Sequence, residues 1–113
     1  MKLQKIIEKL DLEIKSGETQ LDREVTRGYA SDLLSDVMGN AAEGDLWVTL
    51  QAHQNIVAIA VMKSLSGIIL VNSREPDPMT LKKAVEEQIP ILVSKMPTFE
   101  LVGKLFEMGV AGS

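Results

Sequence analysis

One histidine, His53, is the only side chain in the sequence whose charge ordinarily changes near neutral pH, so any acid–base chemistry would fall on it. It belongs to a polar run, Thr49, Gln51, His53 and Asn55, that follows an apolar segment. Asn72, Ser73 and Arg74 follow a second such segment, and Ser94 and Lys95 a third. Ser31 and Asp32 close a shorter run upstream. Arg74 brings a planar fork of donors that matches phosphate oxygens. If the chain delivers these residues to one edge, they would hold an anion or a nucleotide phosphate, with Ser31, Asp32, Thr49, Gln51, His53, Asn55, Asn72 and Arg74 as the candidate ligand contacts. The plainer reading is structural: Asn55, Asp77 and Thr98 cap helices and the others are solvated loop residues. Catalysis by His53 would require an orienting carboxylate, which Asp32 or Asp36 would have to supply.

Several chemistries lack their signature. His53 has no second histidine at HxxxH spacing, and no metal or other cofactor is expected. Gly39 to Asp45 has the glycine spacing of a phosphate loop, but Asp45 stands where the lysine must be. Neither GxGxxG nor GxSxG occurs, so dinucleotide and serine-hydrolase readings have no local support.

Those polar runs need elements to position them. Leu3, Ile6, Ile7 and Leu10 lay an apolar stripe on a short helix, and Leu12 and Ile14 then alternate like a half-buried strand. Val25 to Ala30 reads as a second strand, and Leu33, Leu34, Val37 and Met38 as a helix stopping at Gly39-Asn40. Leu46 to Leu50, Gly67 to Val71 and Ile91 to Val93 are apolar or β-branched runs, each followed by a polar loop and a helical segment, the pattern of parallel strands with helical returns. Asp77-Pro78 is a helix start. Phe99, Val102, Leu105 and Phe106 form the stripe of a last helix that ends at Gly109. The fold class expected is α/β, a small mostly parallel sheet with helices on both faces, in a single domain over residues 1–113. In such sheets ligands lie beyond the carboxyl ends of the strands, where the polar runs fall.

Composition narrows the partners. The net charge is -4, from 12 basic and 16 acidic residues scattered without a basic stripe, so the electrostatic term that dominates nucleic-acid binding is missing. There is no cysteine, hence no disulfide or thiolate nucleophile, and a reducing compartment fits. Ile6 and Ile7 are hemmed by Lys2, Lys5, Glu8 and Lys9, which is no leader sequence, and no apolar run is long enough to span a bilayer. The expectation is a cytoplasmic protein with neither nucleic acid nor membrane as partner.

The longest apolar run, Ile56 to Met62, has no polar face, and a helix apolar all round must be covered all round. In a chain this short, a sheet covers one side and a second subunit is the economical cover for the other. A homodimer is therefore expected, with Ile56, Val57, Ile59, Ala60 and Met62 as its interface.

The stretch DREVTRGYASDLLSDVM at Asp22 to Met38, followed by EGDLWVTLQAHQNIVAIA and VNSREPD, resembles the DRTGG domain family over nearly the whole chain. Asp22 and Arg23 match the start of the motif and Gly28 its last glycine. Arg27 departs from it, standing where the family has the other glycine. The resemblance implies a fold similar to the N-terminal domains of HPr kinase/phosphorylase and of Mur ligases, with Gly44 to Trp47 similar to an element of the latter. It also implies a regulatory, dimer-forming role. Stand-alone copies of this type resemble proteins encoded near iron-hydrogenase maturation genes. The kinase relatives keep their phosphate loop in a separate domain, so kinase activity is not implied. Two functions follow as expectations: a non-catalytic regulatory module sensing a small anionic or nucleotide-like ligand, or a small enzyme or accessory acting on a phosphorylated metabolite, with His53 as acid–base and Arg74 as clamp.

Overall fold

The computed structural model describes all 113 residues. Its elements run α1 (Leu3–Leu10), β1 (Glu13–Ser16), β2 (Arg27–Ala30), α2 (Leu34–Asn40), β3 (Asp45–Thr49), α3 (Asn55–Met62), β4 (Gly67–Leu70), α4 (Pro78–Glu87), β5 (Ile91–Val93) and α5 (Thr98–Glu107). One five-stranded sheet has the order β1-β5-β4-β3-β2. β2, β3, β4 and β5 are parallel neighbours, and β1 pairs antiparallel to β5 at the far edge. The expected mostly parallel sheet is thus present. The strand order, which periodicity alone leaves open, places the two N-terminal strands on opposite edges.

This order decides where the helices go. Each step from β2 to β3, β4 and β5 moves one strand over in the same direction, and right-handed crossovers then put every connecting helix on one face. α2, α3 and α4 accordingly line up side by side over Trp47, Ile68, Leu70, Ile91 and Val93. α1 and α5 cover the other face, over Leu46, Val48, Ile69, Val71 and Leu92. Successive strand residues alternate between these two cores, which is why the central strands read as unbroken apolar runs.

α3 is the middle helix of its layer. The sheet lies beneath it and α2 and α4 flank it, so Ile56, Val57, Ile59 and Ala60 are buried within a single chain. This corrects the expected interface: those four side chains are not a surface. Of the five, only Met62 is exposed, at 68 %, beside Val61.

α5 departs from expectation in the opposite sense. Its core face is Leu101 and Leu105, whereas Phe99, Val102 and Phe106 of the predicted stripe point to solvent. Leu101, outside that stripe, lies beside Leu105 on the helix surface, and the sheet takes this pair and leaves the phenylalanines outside.

The turn after β1 shows why particular residues stand where they do. Gly17 follows β1 with φ +83°, and a Cβ there would come within 2.6 Å of Pro90 Cα. Next to it the buried Ser16 hydroxyl donates to the Ile89 carbonyl (2.8 Å) and accepts from the Ile91 amide (3.1 Å), pinning β1 to β5 through a bulge in the register. No helix is long and apolar enough to cross a membrane.

Candidate functional site

The carboxyl ends of β2, β3, β4 and β5 lie along one edge, so the polar runs are brought to a common rim as the topology requires. The rim divides into two parts with different chemistry.

The first part is a closed hydrogen-bond knot. Asp32 Oδ1 accepts from Thr49 Oγ1 (2.8 Å) and the Leu50 amide (2.7 Å). Gln51 Nε2 donates to the Asp32 carbonyl (2.8 Å), and the Gln51 amide donates to Thr49 Oγ1 (3.1 Å). Ser31 Oγ accepts from the Leu33 amide (3.2 Å), and the Ser31 carbonyl accepts from Trp47 Nε1 (2.8 Å). These polar atoms are already spoken for, so Ser31, Asp32, Thr49 and Gln51 tie β2 to β3. Trp47 is fully buried, and its indole N–H makes it a direct reporter of this part of the rim.

His53 is exposed, and its Nδ1 accepts from the Asn55 amide (3.2 Å) at the start of α3. No carboxylate orients it: Asp32 is engaged as described, and Asp36 accepts from the Tyr29 hydroxyl (2.7 Å). The arrangement that would make His53 a general base is therefore not assembled. Asn55, Asp77 and Thr98 occupy helix starts, but none caps with its side chain. α4 is instead tied to the rim by Thr80, whose hydroxyl donates to the Ala52 carbonyl (2.6 Å) without capping the helix.

The second part lies beyond the central strands β4 and β5. The Asn72 amide donates to the Met96 carbonyl (2.9 Å) and the Ser73 amide to the Ser94 carbonyl (2.8 Å), so the loops carrying Arg74 and Lys95 are zipped together. Asn72 and Ser73 both have left-handed backbone, φ 55° and 56°. Neither Arg74 nor Lys95 has a carboxylate within ion-pair distance; the neighbouring Glu75 is engaged by Lys15 (2.7 Å), which Glu13 also holds. Those carboxylates raise the Lys15 ammonium above its ordinary pKa, mainly through the hydrogen bond to Glu13. The result is an exposed pair of free cations on a braced double loop. It is a platform rather than a pocket: none of the eight candidate residues lines any of the five principal cavities.

The DR stretch lies at the opposite, amino edge of the sheet. Arg23 Nη2 donates to the Gln88 carbonyl (2.8 Å) at the end of α4, and the Arg23 carbonyl accepts from the Leu3 amide (2.9 Å). Gly28 sits in β2, where its amide donates to the Ala111 carbonyl (2.8 Å) and its carbonyl accepts from the Ser113 amide (3.0 Å); the C-terminal residues thereby run alongside it. Arg27 is an exposed residue of the same strand. The motif thus acts here as stitching. Beside it lies an open cleft of about 430 Å³ lined by Arg23, Glu24, Glu43, Glu87, Ser64 and Ser66 among others, which sequence reasoning did not find. Three glutamates against one arginine disfavour an anion there. Asp45, in place of a phosphate-loop lysine, is buried with Oδ2 closing a turn onto the Ala42 amide (2.8 Å) and Oδ1 without a partner. No cluster of metal-ligating side chains is present.

Comparison with known proteins bears on the fold. The DRTGG domain model matches residues 5–108. Among solved structures, the chain is similar to the crystal structure of the CBS and DRTGG domains of the regulatory region of Clostridium perfringens pyrophosphatase, complexed with its activator, diadenosine tetraphosphate. The TM-score is 0.74 at 16 % sequence identity, over 90 % of this chain and 44 % of that one, so this chain spans under half of its neighbour's length. No curated protein matches the sequence.

Proposed function

Because the chain belongs to the DRTGG domain family, we propose that it is a non-catalytic regulatory module, working as a homodimer, that senses an anionic or nucleotide-like ligand at the carboxyl edge of its sheet. The observation that carries this reading is the free pair Arg74 and Lys95 on loops braced to one another. A guanidinium and an ammonium left without counter-charges favour phosphate oxygens, and a fixed double loop lowers the entropy lost on binding. Asn72 and Gln51 lie on the same edge, and Asp32 and Thr49 serve it by holding the β2 and β3 ends in place. The structural neighbour supports the ligand class, since it is a regulatory region complexed with a dinucleoside polyphosphate. The chain would act by shifting a population: a ligand changes a conformational balance only if it binds the two states unequally.

The loop bearing Lys95 runs directly from β5 into α5, so an anion held between Arg74 and Lys95 would bias the setting of that helix. The test is a thermal-shift and Trp47 fluorescence titration with ATP, diadenosine polyphosphates and nucleotide sugars. Binding at about a hundred times Kd raises stability by about 2.7 kcal/mol. The double substitution Arg74→Ala, Lys95→Ala should abolish that gain while leaving the ligand-free melting temperature nearly unchanged. Absence of a response to every one of these anions, or a response that survives the double substitution, would sink the reading.

A further inference from the structure

The two most exposed large apolar side chains of the molecule are on one helix. Phe99 is 86 % exposed and Phe106 70 %, on the side of α5 away from its buried leucines, with Val102 at 37 % on the flank toward Leu105. Between them lies Gly103, in the interior of the helix with nothing within 4 Å of where a Cβ would stand. Glycine is among the poorest helix formers, and here neither a tight contact nor a positive φ within the chain calls for it. An open notch in a row of exposed phenylalanines is what a close-packed second helix needs.

We propose that this face of α5 is the contact for a second copy of the chain, the two helices packing antiparallel about a two-fold axis that passes between Val102 and Gly103. The pattern is its own complement. Phe99 and Phe106 are equidistant from that midpoint, so Phe99 lies over the partner's Phe106 and Val102 enters the notch at the partner's Gly103. In such an isologous contact each residue pair is made twice, so both phenylalanines and the notch of each chain are used.

The area suits a weak contact. An aromatic side chain buries about 150–250 Å² when covered, so at their exposures the two phenylalanines offer about 300 Å² per chain. Two chains give about 600 Å² of aromatic surface, short of the about 1,200 Å² at which stable complexes begin and within the range of weak, transient contacts. The dimer is therefore concentration-dependent, which suits a switch. This contact gives the homodimer of the proposed function its surface, but it stands on its own geometry and its test involves no ligand.

Sedimentation velocity of the wild-type chain over the micromolar range should show a monomer–dimer equilibrium. Phe106→Glu should weaken it by roughly 30-fold or more, as expected for an aromatic anchor, with an unchanged far-ultraviolet spectrum. Gly103→Leu, which fills the notch where the monomer has room, should weaken it too. Met62→Glu, on the exposed end of α3, should leave it intact. The chain has no cysteine, so Gly103→Cys gives a single thiol. In helices packed about 8 Å apart it would sit close to its twin, within the roughly 4–7 Å between Cα atoms that a disulfide spans. Oxidation should link that variant into dimers and leave Met62→Cys unlinked. A wild-type monomer throughout, a dimer indifferent to Phe106→Glu, one broken by Met62→Glu, or cross-linking at 62 and not at 103 would each overturn the proposal. A monomer that still binds nucleotide would leave the sensing reading standing without it.

Discussion

α3 and α5 make an instructive pair. α3 is apolar on every side and hydrophobic enough to demand cover from all directions; α5 mixes its phenylalanines with Glu100, Lys104 and Glu107 and reads as an ordinary amphipathic helix. Yet α3 is wrapped by its own chain, and α5 turns its aromatic stripe outward. The apolar content of a segment states how much cover it needs, and the strand order states who provides it. Four parallel strands laid down in sequence place α3 between α2 and α4. On the opposite face only α1 and α5 share the sheet, and α5 is left with a bare flank.

The largest effect that would test this contrast is on stability. Ile56→Ala empties a fully buried position of α3 and should cost about 2–5 kcal/mol in urea unfolding. Phe106→Ser removes a larger side chain from α5, yet at concentrations where the chain is monomeric it should change stability by only about 0.5 kcal/mol. Equal costs for the two would mean that α5 is covered in the monomer, and the comparison would fail.

Local pattern carried the elements themselves. The helix over Leu3–Leu10, the strand at Ile91–Val93 and the stop at Gly109 (φ +102°) lie where periodicity and turn chemistry put them, because each is set by neighbours in sequence. What pattern could not carry was contact between distant segments. Nothing in Leu12 to Ser16 says that this strand lies antiparallel to β5, a pairing made through Ser16 and the Ile89 carbonyl 73 residues away. The same limit governs the rim. That Thr49, Gln51 and Arg74 share an edge follows from parallel strands, but that Asp32 spends its carboxylate on Thr49 and Leu50 depends on β2 lying beside β3. The free state of Arg74 likewise depends on Lys15 capturing Glu75 from across the sheet edge.

A smaller effect sharpens the case for α5. Gly103→Ala adds a methyl group to open space in a helix interior, and should stabilise the monomer by about 0.5–1 kcal/mol, a rise in melting temperature of a few degrees. The same change narrows the notch, so the monomer should gain stability while dimerisation weakens. Opposed signs in the two measurements would separate a glycine kept for association from one kept for the fold. A gain in both would break the argument that its notch serves a partner.

The smallest expected effect concerns the wall that hides α3. Tyr29 on β2 donates to Asp36 on α2 (2.7 Å), and Asn40 donates to the same carboxylate (3.0 Å), fastening α2 against the sheet. The Tyr29 hydroxyl, followed by Ser31 and, more weakly, Asn40, holds the Asp36 carboxyl below its ordinary range, while Asp36 first, and desolvation second, pushes the Tyr29 hydroxyl above its own. A carboxyl with a lowered folded pKa adds stability that is fully present above its unfolded value of about 3.9 and is lost as pH falls through the folded value. A phenol with a raised folded pKa adds stability present below about 10 and lost as pH climbs through its folded value. The fastening therefore works across the whole range between these limits. Asp36→Asn should be less stable than wild type at neutral pH, and the gap should close in acid because the substituted chain has no proton to gain at that position. A parallel acid limb for the two proteins, measured by urea unfolding at stepped pH, would mean that this carboxylate does not hold α2 down, and that the cover on α3 comes from apolar packing alone.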